Sequence, residues 1–367
     1  MTISVPTLKQ NRSQRSVRRN RRSRADVVWA IVSLFVLQIG FATALNTCLV
    51  NLDDGTTFAS KSAQFRGQLE NADQDSFVIA AFGSSRVMNG FDAAGMESQV
   101  SENRGGRTVV YNFGVPGGGN IYTFLSIEKL IQQGVRPDLI LVEVYPILLR
   151  HGSEQDWFAG NEMRSKSFDN TERYGVKPVS RPWFEEWLFP WHTYRFFVLN
   201  RVAPALLPMD LRENWAQKAD EHGWVSVDKQ PVTETVDLQV AQFQRCIDEF
   251  DLSPDTCRAV RDTIALCKQN NIQCKLLWMP EPEGIRNGYR PDVESQITGF
   301  FDKLEAEFGV QRIIARDWVD DRGFYDTCHL NREGAVWFTQ RLSNQAISNL
   351  PMDSIAGSGS FSSATLR

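Results

Sequence analysis

Histidine is scarce in this chain, with four among 367 residues. The six cysteines form no Cys-x-x-Cys pair and no His/Cys cluster, so no metal site is expected. No segment repeats, which argues against solenoids and propellers. Acids are missing from the first 24 positions, which hold eight of the 40 basic residues (Lys9, Arg12, Arg15, Arg18, Arg19, Arg21, Arg22 and Arg24). The remainder therefore carries 32 basic against 44 acidic residues. A nucleic-acid protein places its basic surface on the folded domain, so this balance argues against a nucleic-acid partner.

Charge is also absent between Asp26 and Asp53, where Val27 to Val50 read VVWAIVSLFVLQIGFATALNTCLV. About 20 apolar residues cross a bilayer as a helix, and arginines on the leading flank hold that end in the cytoplasm. The segment reads as a single-pass signal anchor, with the bulk of the chain periplasmic or extracellular. A cleaved signal peptide is the alternative, because Ala42 to Ala44 resemble a cleavage site, but the apolar run is longer than a usual signal core. Outside the cytoplasm the cysteines can be oxidised. Cys246 with Cys257 and Cys267 with Cys274 are close enough in sequence to pair, and the connectivity stays open.

Composition is that of a globular protein, 42% hydrophobic and 23% charged over the whole chain. Short apolar runs ended by turn residues read as buried strands at SFVIAAFG, RTVVYNFG, PDLILVEVYP, IQCKLLWMP and VQRIIA, with helical patterns between them. That alternation predicts an α/β, flavodoxin-like three-layer sandwich around a five-stranded parallel sheet of order 2-1-3-4-5. A large aromatic-rich insertion, about 150–250, comes after the third strand. Its residues Trp183, Trp187 and Trp191 suit either core packing, a wall for a sugar, or a membrane contact. The expected organisation is a basic cytoplasmic tail over 1–25, the anchor over 26–51, a polar stalk over 52–74, a catalytic domain over 75–350 and a disordered Gly/Ser-rich tail over 351–367.

In such sheets chemistry gathers in the loops at the carboxyl ends of the strands. The first strand runs into GSSRVMNG, where a serine at a strand-to-helix turn presents its hydroxyl beside backbone N–H groups. A helix N-cap would use the same serines, so this signal is weak alone. The second strand runs into NFGVPGGGN, whose glycines aim N–H groups at a ligand. The fifth strand leads to DTCHLNREG, with Asp326 three residues before His329. Together these loops supply a nucleophile, oxyanion donors and an acid–histidine pair, the parts of an acyl-transfer site.

The pattern resembles the SGNH (GDSL-type) hydrolase superfamily over roughly residues 75–145 and 255–348. Gly83-Ser84-Ser85 stands for its Gly-Asp-Ser block, Asn112, Gly114 and Gly117 for its Asn-x-Gly-x-x-Gly block, and Asp326, His329 and Leu330 for its Asp-x-x-His-Leu block. The resemblance implies Ser85, His329 and Asp326 as the triad and Gly117 as an oxyanion donor. Two departures stand out: Ser84 replaces the family's Asp, and the third block, Gly-x-Asn-Asp, is missing where Glu143 to Pro146 read EVYP. Either Tyr145 or Asn120 is the candidate to replace that block's oxyanion donor. The variant first block, the lost third block and the anchor look most like the membrane-anchored envelope branch, similar to alginate O-acetyltransferases and D-alanyl transfer proteins. That likeness implies an esterase or O-acyltransferase acting on an acylated carbohydrate of the envelope, with a membrane-bound acyltransferase partner and no cofactor. An inactive scaffold for glycan binding or envelope assembly is the rival reading, because the third block is absent.

Overall fold

The structure, a computed structural model of the chain, describes residues 12–49, 57–152, 168, 171–176, 199, 203–206, 218–229 and 233–347. The chain divides into two compact units. One comprises residues 1–53 and 180–216, the other 54–179 and 217–367. Trp183, Trp187 and Trp191 and the tail over 351–367 lie outside the described residues.

In the first unit, α1 spans Arg12–Leu49. Its stretch Arg24–Phe41 is 18 residues long, apolar enough to cross a membrane, and wholly unburied. Trp29, Leu34 and Leu37 all project as exposed apolar side chains, which water alone would not favour.

The second unit is built on five parallel strands: β1 (Phe77–Phe82), β2 (Thr108–Asn112), β3 (Leu139–Glu143), β4 (Gln273–Trp278) and β5 (Gln311–Ile314). Their order is β2-β1-β3-β4-β5, as the alternation of strands and helices predicts. Registers such as Ala80↔Tyr111 and Ala80↔Ile140 place β1 between β2 and β3. Side chains alternate across a strand, so each strand feeds both faces. Ala80, Phe82, Tyr111, Val142 and Trp278 pack under α2 (Phe58–Glu70), α5 (Asn120–Gln132), α7 (Pro254–Gln269) and α9 (Pro291–Phe308). Ile79, Ala81, Val110, Leu141 and Ile313 pack under α3 (Ser85–Gly90), α4 (Ala93–Arg104) and α10 (Arg332–Ile347). Two further helices, α6 (Thr233–Asp248) and α8 (Glu283–Arg286), lie between these elements in the chain.

The expected stalk over 52–74 is a correction. Thr57 caps α2 by accepting from the Ser60 N–H, and Phe58 and Phe65 are buried in the core. Lys61, also buried, donates to the Asn112 and Gly223 carbonyls at 2.8 and 2.6 Å, satisfying one backbone oxygen at the end of β2 and one in the 218–229 segment. Polar composition concealed one apolar helical face. The five described cysteines, Cys246, Cys257, Cys267, Cys274 and Cys328, are free thiols, so neither local pairing is present.

Candidate active site

The turn after β1 is shaped by a helix cap. Ser84 has extended backbone geometry and its hydroxyl accepts from the Arg86 N–H at 3.1 Å, so α3 begins at Ser85. Capping occupies Ser84 and leaves the neighbouring hydroxyl for other work. Ser85 is half-buried, and its Oγ lies 2.6 Å from His329 Nε2.

His329 arrives on a loop that supports itself. Phe324 and Leu330, both buried, form an antiparallel bridge that pinches the segment between them. The Tyr325 N–H donates to the His329 carbonyl at 3.0 Å. Inside the loop, Asp326 Oδ1 accepts from the N–H groups of Cys328 and His329 at 2.9 and 2.8 Å. Its second oxygen, Oδ2, lies 2.7 Å from His329 Nδ1. The Tyr325 ring stacks on the imidazole with centroids 5.5 Å apart. Burial pulls the imidazole's pKa down, but Cys328 and Asp326 more than reverse this and hold it well above the ordinary value. Burial raises the Asp326 pKa, and His329 with the hydrogen bonds around it brings the carboxyl below its usual range.

The loop after β2 lies against the turn that carries Ser85, because the Val115 N–H donates to the Gly83 carbonyl at 3.1 Å. Asn112 ties the loop to α3: its Nδ2 donates to the Val87 and Phe91 carbonyls, and its Oδ1 accepts from the Gly114 N–H. Gly117 has φ of 65°, a left-handed conformation that favours glycine. Asn120 opens α5 and is buried, and its Nδ2 has no hydrogen-bond partner among the described residues. A buried amide donor left unpaired costs about 1–3 kcal/mol.

At the end of β3, where the third block is missing, a different device appears. Glu143 is buried; its Oε2 accepts from the Ser84 N–H at 2.7 Å and its Oε1 sits 3.5 Å from Arg86 Nη1. A side chain on Gly83 would bring Cβ to 2.5 Å from that carboxylate, so only glycine fits there. Arg86, equally buried, donates through Nη2 to the Met279 and Pro280 carbonyls beyond β4. Its guanidinium also lies 4.1 Å from the centre of the Tyr145 ring. Burial, then the neighbouring Cys328, raises the Tyr145 phenol pKa well above its usual value, which keeps the hydroxyl a donor. Behind Arg86, the buried Glu281 accepts from Trp278 Nε1, Tyr289 OH and Arg316 Nε at 2.8–3.0 Å.

Ser85, His329 and Asp326 are thus brought together, while Gly117 and Tyr145 lie on neighbouring loops and Asn120 at the start of α5. Sequence reasoning missed Glu143, Arg86 and Cys328 as neighbours of the triad. An acid closing the otherwise apolar run LILVE was the available signal for the first. It also missed Gln239 of α6, whose Oε1 accepts from Thr327 Oγ1 and N at 3.0 and 3.3 Å and so holds the histidine loop from outside.

Residues 56–203 match the model of a protein family described as a protein of unknown function (DUF1574). No curated protein matches the chain in sequence. Solved structures similar to it include the carbohydrate acetylesterase Est24 from Sinorhizobium meliloti, at 9% identity over 75% of this chain and 100% of that one, TM-score 0.34. A GDSL-like lipase from Bacteroides thetaiotaomicron is similar at 10% identity over 79% and 100%, TM-score 0.34.

Proposed function

We propose that the chain is an SGNH-type serine ester hydrolase or O-acyltransferase, removing or transferring an acyl group, acetyl in the first instance, on an envelope or exopolysaccharide glycan. The observation that carries this is the continuous chain of contacts from Ser85 Oγ to His329 Nε2 at 2.6 Å and from His329 Nδ1 to Asp326 Oδ2 at 2.7 Å. Those are hydrogen-bond distances between a nucleophile, a base and the group that orients the base.

In the proposed reaction Ser85 Oγ attacks the ester carbonyl carbon while His329 Nε2 takes the hydroxyl proton. Asp326 keeps the other imidazole proton on Nδ1 and stabilises the imidazolium. The oxyanion is held by the N–H groups of Ser85 and Gly117, with Asn120 Nδ2 as the third donor in place of the family's third-block Asn. His329 then returns its proton to the departing alcohol oxygen and leaves acyl-Ser85. Water completes hydrolysis, and a sugar hydroxyl completes transfer. Tyr145, with its phenol protonated, is assigned to the substrate side. Arg86 and Glu143 shape the turn without touching the reacting atoms.

In this reading the apolar stretch of α1 is a signal anchor, with the basic residues on its N-terminal side cytoplasmic and the catalytic unit on the far side of the membrane. A membrane-bound acyltransferase is the proposed source of the acyl group when transfer operates. A C-terminal reporter active only in the cytoplasm should stay silent; activity there would overturn the topology.

The enzyme test uses the full chain in detergent, with acetate release from a simple acetyl ester measured with and without a glycan acceptor. A fluorophosphonate should label Ser85. A folded protein that releases no acetate and takes no label would instead be the glycan-binding scaffold.

A further inference from the structure

Sequence spacing offers no reason to expect a metal, since no paired-cysteine motif exists. The histidine loop nonetheless gathers three ligand types within four residues. One ligand atom each from Asp326, Cys328 and His329 lies within 4.8 Å of the others. Cys328 Sγ is 3.4 Å from His329 Nδ1, and Asp326 Oδ2 is 2.7 Å from the same nitrogen. Around a tetrahedral zinc ion, with bonds of about 2.3 Å to sulfur and 2.0–2.2 Å to nitrogen and oxygen, neighbouring ligand atoms stand roughly 3.3–3.6 Å apart. The sulfur–nitrogen separation already fits. The oxygen–nitrogen pair needs to open by about half an ångström to reach that spacing. All three side chains are partly exposed, with 19% of His329 and 13% of Asp326 accessible, so an ion can enter and keep a water as its fourth ligand.

We infer that Asp326, Cys328 and His329 form a site for a thiophilic divalent cation such as Zn²⁺, and that filling it switches the serine site off. The inhibitory half rests on the proposed triad; the binding half does not. Asp326 Oδ1 is engaged by two backbone N–H groups, which leaves Oδ2 as the metal's oxygen. Binding releases the Cys328 thiol proton to solvent. In the neutral imidazole, the proton on Nδ1 gives way to the metal and one is carried on Nε2 instead. Nε2 faces Ser85 Oγ at 2.6 Å. With the metal on Nδ1 that nitrogen is a donor, and it has no lone pair with which to take the serine proton. Cation and catalysis therefore compete for one imidazole ring, because a metal on Nδ1 fixes the proton on Nε2, and the thiol makes the competition selective for soft metals over Mg²⁺ or Ca²⁺.

The test uses the full chain in detergent and Zn²⁺ alone as the probe. Equilibrium dialysis should find one tight Zn²⁺, and Co²⁺ in its place should give a thiolate-to-metal absorption band. Cys328→Ser should lose the band and weaken binding by roughly ten- to a hundredfold, a loss that even disturbing a ligand's support can bring. Acetate release should fall in proportion to Zn²⁺ occupancy, relative to each protein's own metal-free rate. As a check free of mutation, Zn²⁺ should slow alkylation of Cys328 in the wild-type chain. Equal binding by wild type and Cys328→Ser, or no protection of Cys328, overturns the site. Bound Zn²⁺ with undiminished acetate release overturns the switch. A chain that binds Zn²⁺ through Cys328 but never releases acetate would sink the enzyme reading and leave the metal site standing.

Discussion

The turn that carries Ser85 is held by groups brought from elsewhere in the chain, whereas the loop that carries His329 largely holds itself. The Ser84 N–H is received by Glu143, 59 residues later, and Arg86 reaches the Met279 and Pro280 carbonyls some 190 residues on. All of this is dry, with Glu143 and Arg86 both buried. The histidine loop closes with bonds spanning six residues or fewer, from Asp326 to the N–H groups and ring just after it, from the Tyr325 N–H to the His329 carbonyl and across the Phe324–Leu330 bridge, and it stays partly exposed. A local turn is cheap to order and easy to open. A buried pair assembled from distant segments is costly to break, because a lone charge is left without water. Ser85 is therefore set by the fold, and His329 by its own loop.

The largest expected effect bears on where the two regions meet. Ser85→Ala and His329→Ala should each lower acetate release by roughly 10⁴- to 10⁶-fold, and the double variant should be no worse, because the pair acts as a unit. Asp326→Asn should cost about 10⁴-fold while leaving the Ser85 side intact. Acetate release by the purified variants checks all four, and additive losses would show that the regions work separately.

Asn120→Ala should lower kcat by about 10²–10³, the loss typical of one oxyanion donor, with KM little changed. Should KM rise and kcat hold, Asn120 belongs to substrate binding and Tyr145 becomes the better third donor.

Glu143→Gln sharpens the contrast in stability. It keeps an acceptor for the Ser84 N–H but removes the charge facing Arg86, and breaking a buried pair from one side costs about 3–5 kcal/mol. Denaturant unfolding should show a loss of that size. A loss under about 1 kcal/mol would mean that the carbonyls of Met279 and Pro280 suffice for Arg86.

Gln239→Ala should be the mildest change. It removes two part-buried hydrogen bonds to Thr327, worth about 0.5–1.5 kcal/mol each, and should leave the triad assembled. Thermal melting with the acetate assay checks it. A hundredfold fall in activity would show that the histidine loop depends on α6 and does not hold itself.

Much of this molecule is written in short-range pattern. Apolar runs of strand length separated by helical periodicity specify a parallel sheet and its order, since right-handed crossovers leave few topologies. The step from Asp326 to His329 is equally local, because three residues of turn suffice to bring a carboxylate to the imidazole. Such features survive in sequence because the atoms that cause them are neighbours in the chain. Tertiary structure alone decided the rest. Gly-Ser-Ser by itself does not say which serine caps, and only the family resemblance points to Ser85; the fold uses Ser84 as the cap and sets Ser85 at 2.6 Å from His329, 244 residues away. EVYP reads as a missing block until folding carries Glu143 beneath the Ser84 N–H and against Arg86. A polar segment reads as a stalk until Phe58 and Phe65 find the core. These long-range placements are fixed by burial, which forces each dry charge and donor to its partner wherever in the chain that partner lies.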